Sequence, residues 1–237
     1  SLLVLVLSVL LMCELNAQKS YNALPKYAAT SLKEDAAILK KVLEANHPSL
    51  YWYTPKQQLD SAFDNMFNSI SDSLNEIEFR NKVAPWVAMI KCGHTTALYS
   101  KKFIKELPPY RYPRFPLQIK FWEDSAVVLS NGYFKDSIIQ RGTIVQTINN
   151  KPVAYYRDYL FKQITTDGYA INHQYQTLSS SFSDSYKQVF GVDSTYLIGY
   201  INQAGKADVI SLGNFVPAPR DTGTNRPRPS IRQASLS

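Results

Sequence analysis

Gly142-Thr143-Ile144-Val145-Gln146-Thr147-Ile148-Asn149-Asn150-Lys151-Pro152-Val153 reads as a β-strand that runs into a tight turn and out again. Asn149-Asn150 is the turn pair. Working outward from it, the hydrophobic period stays at two. Upstream, Leu117, Ile119 and Phe121 alternate with polar residues, and Glu123-Asp124-Ser125 turns the chain into Ala126-Val127-Val128-Leu129. Downstream, Tyr155 to Thr165 reads as a helix carrying Tyr156, Leu160 and Ile164. A polar, helix-compatible stretch covers Asn172 to Val189. Ser194 to Ile201 and Ala207 to Leu212 then form a hairpin around Asn202-Gln203-Ala204-Gly205.

Nearer the N-terminus the period changes to that of a helix. Ser31-Leu32-Lys33-Glu34 has the form of a capping box, followed by Leu32, Ala36, Leu39 and Leu43 at helical spacing. Pro48 stops that helix after His47. Thr54-Pro55 opens a second helix, with Thr54 as cap and the stripe Leu59, Phe63, Phe67 and Ile70. Asn75 and Glu78 cap a third, whose face is Phe79, Val83, Trp86, Val87 and Ile90. Pro85 removes one donor from it, which predicts a kink, and Gly93 is placed to end it. The expected fold class is therefore α+β: an N-terminal three-helix unit, then a β-rich domain. The division expected is 1–17, 18–106, 107–215 and 216–237.

The first and last of these segments stand apart. Leu2 to Met12 is apolar apart from Ser8. As a helix it spans roughly 17 Å, too short for a hydrocarbon core of about 30 Å. Glu14-Leu15-Asn16-Ala17 follows, so residues 1–17 read as part of a secretory signal peptide cleaved after Ala17, and the protein as exported to the periplasm or beyond. Cleavage would remove Cys13 and leave Cys92 alone, so no internal disulfide is expected. No other stretch is long and apolar enough to suggest a membrane span. At the other end, residues 217–237 combine proline and arginine with few apolar residues, which predicts a linker, a disordered tail or the ragged end of a truncated chain. Part of the net charge of +7 sits there. Elsewhere acids and bases interleave, and no basic stripe with interleaved aromatics points to nucleic acid.

Three histidines are present: His47, His94 and His173. None is paired at the i, i+4 spacing of a helical zinc site, and neither a Gly-x-Ser-x-Gly elbow nor a phosphate-cradling glycine loop occurs, so no metal and no cofactor is expected. His47 suits a helix C-terminus, where an imidazole complements the last carbonyls. His173 lies in a polar stretch and reads as a surface residue. His94 follows Cys92-Gly93 in a loop, before Thr95-Thr96, where capping and chemistry are both open.

At Lys91-Cys92-Gly93-His94-Thr95 the sequence resembles the Gly-His-Thr segment of S41 peptidases, the tail-specific or C-terminal-processing serine proteases, including tricorn-like members. Three other pieces agree in order: the helix ending His47-Pro48 with Tyr51 and Tyr53 beyond it, the 142–153 segment, which is similar to the PDZ signature of that family, and the Ala17-Gln18 junction. The resemblance covers roughly residues 31–213. It implies a helical region, a PDZ-like β-rich domain and then a separate α/β catalytic core. It also implies His94 as the active-site histidine, peptide or protein substrates, and peptide contacts near Phe115 and Leu117, where the carboxylate loop would lie. The pattern departs from the family at Thr143, at Asn150 and at Pro116, which has no N–H to offer a carboxylate. No nucleophile paired with a base is recognisable in the matched region. The leading expectation is thus the N-terminal, non-catalytic part of a secreted S41-type serine peptidase. The rivals are a non-enzymatic exported PDZ-like peptide-binding module and, third, a basic polyanion-binding protein.

Overall fold

In this computed structural model, residues 24–106, 113–133 and 136–216 are described. The signal-peptide and tail readings fall outside them. The chain runs β1 (Lys26–Tyr27), α1 (Ala29–Asn46), α2 (Lys56–Asn68), β2 (Leu74–Asn75), α3 (Glu76–Ala88) and α4 (Lys101–Glu106). It continues through β3 (Leu117–Phe121), β4 (Ala126–Asn131), β5 (Val145–Ile148), β6 (Lys151–Pro152), α5 (Val153–Phe161), α6 (Ile171–Phe190), β7 (Thr195–Ile201) and β8 (Ala207–Gly213). The fold is α+β, with antiparallel sheets.

Two hydrophobic cores form. The first lies among α1, α2 and α3 and includes Leu32, Leu59, Phe63, Trp86 and Ile90. Trp86 buries its ring there and donates Nε1–H to the Leu59 carbonyl at 3.1 Å, which satisfies the one polar atom it brings inside. The second lies between the sheet and α6. Its centre is aromatic: the Phe115 ring lies 4.9 Å from both Tyr186 and Tyr196 and 5.4 Å from Phe182.

In the sheet, the order is β6-β5-β7-β8, and the β3-β4 hairpin joins it through a bridge between Val127 and Ile144. The Asn149-Asn150 turn forms as read, with φ of 49° and 63°, the double left-handed conformation that a two-residue hairpin loop needs. Asn149 also uses its side chain: Oδ1 accepts from the Leu197 N–H, and Nδ2 donates to Asp193, each at 2.9 Å.

The helix boundaries hold both agreements and corrections. The Asn75–Glu78 capping box is complete, with bonds of 3.0 and 2.8 Å. Ser31 does not cap α1. The helix starts earlier, because the Leu32 N–H reaches the Ala28 carbonyl at 3.1 Å and the intervening alanine favours helix. Thr54 does not cap α2 either; its hydroxyl donates to the Met89 carbonyl at 2.6 Å, tying that loop to the end of α3. The left-handed residue after α3 is Lys91, φ 56°, and not Gly93. Pro85 lies inside α3. The carbonyl four residues back, at Asn81, accepts instead from Gln163 Nε2 at 3.3 Å. The Asn81 side chain donates in turn to the Gln188 carbonyl at 2.6 Å. A defect in one helix is thus a fastening point between the two cores.

Candidate functional site

Three loops meet at this junction: 47–54 after α1, 91–97 after α3, and 165–169 between α5 and α6. The middle one carries His94. It begins with a turn closed by the Thr95 N–H to the Cys92 carbonyl at 3.0 Å. The loop is then held from both sides. From the helical side, His47 Nε2 lies 2.9 Å from the Thr95 hydroxyl, while His47 Nδ1 accepts from the Ser49 N–H at 3.3 Å. An accepting Nδ1 leaves the proton of a neutral imidazole on Nε2, so His47 donates to Thr95. That is the wrong sense for a base activating a threonine hydroxyl. The pair positions the loop.

From the β side, Asp167 Oδ1 accepts from the Gly93 N–H at 2.6 Å, the Gly168 N–H donates to the Lys91 carbonyl at 2.9 Å, and the hydroxyls of Thr96 and Thr165 bond at 2.8 Å. Arg80 Nε adds a bond to the Ala97 carbonyl at 3.1 Å. Gly168 has to be glycine. Its φ is 57°, and a Cβ there would lie 3.1 Å from the Tyr53 ring.

His94 itself is exposed, and its ring bonds no described residue. The backbone on both sides is fixed while the imidazole is left free. Exposed apolar side chains occur on or next to these loops: Trp52, Tyr169 and Leu98 are each about three-quarters exposed or more. The sequence reading found His94 but missed its anchors. Asp167 lies 74 positions from Gly93, and no local pattern marks it.

The second candidate, Phe115 and Leu117, is placed differently. Phe115 is 1% exposed and Leu117 0%, so both side chains are core and neither can wall a peptide site. The β3 edge beside them is occupied by α6. Ser183 Oγ donates to the Phe115 carbonyl at 2.6 Å, and Ser179 Oγ accepts from the Phe121 N–H at 3.0 Å. Gln118 bridges to the backbone of the same helix. Hydroxyls therefore take hydrogen-bond positions that an added peptide strand would need. Alternation in the sequence signalled that these residues are apolar; it carried no sign of the helix laid over the edge.

No group of three or more His, Cys, Asp or Glu residues suited to a metal occurs among the described residues. No described helix is long and apolar enough to cross a membrane.

Neither a protein-family model nor a curated protein matches the sequence. Solved structures do. This chain resembles part of a serine protease. Mature CPAF, a chlamydial protease, superposes with a TM-score of 0.52 at 9% identity, covering 78% of this chain and 34% of that one. A CPAF point mutant gives 0.51 at 11% identity, covering 80% and 34%. CPAF complexed with lactacystin gives 0.51 at 9%, covering 78% and 35%. The chain thus spans about a third of the length of these structures, and the likeness is one of fold.

Proposed function

We propose that this chain is the N-terminal part of an exported S41-type serine peptidase, acting in substrate recognition and contributing His94 to a catalytic site. The nucleophile and its oxyanion hole then belong to a catalytic core outside this sequence. The observation that carries the proposal is the His94 loop: a free, exposed imidazole on a backbone pinned by His47, Asp167 and Thr165. A histidine that merely capped α3 would spend its ring on the last carbonyls. The fold shared with a third of a serine protease supports the same reading. So do the exposed apolar side chains Trp52, Leu98 and Tyr169 on or next to the three loops, of the kind that covering domains bury. The occupied β3 edge counts against a freestanding PDZ-like peptide binder, since such a module works by strand addition.

The test is to express the protein together with any coding sequence found downstream and to assay peptide hydrolysis. Activity that falls about 10²-fold or more in His94→Ala, the scale of a lost general acid or base, supports the proposal. Full activity in that variant refutes the role of His94.

A further inference from the structure

A cleft of about 630 Å³ opens between the end of α3 and the α5–α6 connection, on the seam of the two cores. Its floor and walls are apolar, from Pro85, Met89, Phe161, Ile164 and Ile171. Two cations stand in it, Lys91 and Lys162, and no carboxylate residue lines it. Neither ammonium has an acidic partner within salt-bridge distance among the described residues.

Two other polar side chains of the cleft donate to backbone carbonyls. Gln174 Nε2 donates to the Phe161 and Ile164 carbonyls at 3.0 and 3.2 Å, and the Thr166 hydroxyl donates to the Ala170 carbonyl at 3.0 Å. The Met89 carbonyl, at the end of α3, accepts from Thr54. The helix ends that face the cleft therefore do not need the lysines to satisfy their carbonyls. Lys91 is also held in place. Its backbone is left-handed, its carbonyl is bonded by the Gly168 N–H, and its ammonium lies 3.7 Å from the centre of the Tyr169 ring. An apolar trough with an oriented, unpaired cation selects for charge and shape together.

We infer that this cleft binds a small amphipathic carboxylate, its apolar body against Ile164 and Met89 and its anionic end on Lys91, with Lys162 assisting. The chemistry is shared by a medium-chain alkanoate and by a peptide C-terminus with an apolar last residue. The inference does not depend on the peptidase reading, because this chain alone should bind.

The experiment is calorimetric titration of the 237-residue chain with octanoate, with N-acetyl-alanyl-leucine, and with the amide of that dipeptide. At least one of the two carboxylates is expected to bind, and whichever binds identifies the source; the amide should bind about tenfold more weakly or not at all, as expected when a charge-assisted contact is lost. Lys91→Gly suits the left-handed backbone while removing the ammonium, and should weaken binding about tenfold or more. Lys162→Gln should weaken it less. Lys120→Gln, on the β3 strand away from the cleft, should leave it unchanged. Absence of binding by both carboxylates at millimolar concentration overturns the inference. So does equal binding of acid and amide, or a folded Lys91→Gly variant that binds as well as the parent.

Discussion

The loop at 91–97 and the strand start at 115–117 are two candidate sites that the sequence presents in similar terms, and they are built in opposite ways. In the first, the backbone is fixed by side chains from distant loops and the functional side chain stands free. In the second, the side chains are fixed in an aromatic core and the strand edge is bonded by the serines of α6. Apolar residues beside a turn signal packing, whereas a polar side chain left unpartnered on an immobilised backbone signals chemistry.

The largest effect belongs to Phe115. Its ring touches Phe182, Tyr186 and Tyr196, so Phe115→Ala should cost about 3–5 kcal/mol of stability, measured by denaturant unfolding. A cost under about 1 kcal/mol would show that the ring is free to serve a ligand.

The same core should respond to alkali. Burial pushes the phenol of Tyr196 up to about 12 and raises those of Tyr186 and Tyr156 as well. The folded pKa lies above the unfolded one, so the folded state holds its protons longer. The contribution is whole below pH 10, where unfolded phenols begin to ionise, and is lost as pH climbs toward 12. Stability should therefore fall over that window, with the phenolate absorbance of these three tyrosines appearing together with unfolding. Ionisation of Tyr156, Tyr186 and Tyr196 near pH 10 in the folded protein would contradict the buried core.

Much of this was legible beforehand and some was not. The alternation at Leu117, Ile119 and Phe121, the Asn149-Asn150 turn and the Asn75–Glu78 box are local signals, and all three stand in the structure. The role of α6 was not legible. Its serines made the stretch look polar, while Leu178, Phe182 and Tyr186 fill the core at helical spacing. At the site, His94 is visible because it is exposed and lies in a loop. Asp167 and Thr165 act through contacts across the seam and His47 through a contact 48 positions along the chain, and such contacts leave no periodic trace.

Smaller effects separate edge from loop. Ser183→Ala strands the buried Phe115 carbonyl and should cost about 1–3 kcal/mol. A neutral result would mean that the β3 edge is accessible to another strand. Asp167→Ala removes the acceptor for the Gly93 N–H and should cost about 1 kcal/mol, whereas Asp167→Asn keeps an oxygen there and should cost less. Faster amide exchange at Gly93 in the alanine variant alone would locate the effect in the loop; equal exchange in both would remove Asp167 as an anchor.

The most direct measurement is made on His94, paired in two settings. In this chain, His94→Ala should change unfolding free energy by no more than about 0.5 kcal/mol, because the side chain is exposed and its ring bonds no described residue. In a polypeptide extended to include a catalytic core, the same substitution should lower peptide hydrolysis by about 10²-fold or more. A destabilised chain together with undiminished hydrolysis would make His94 a structural residue and contradict its catalytic role.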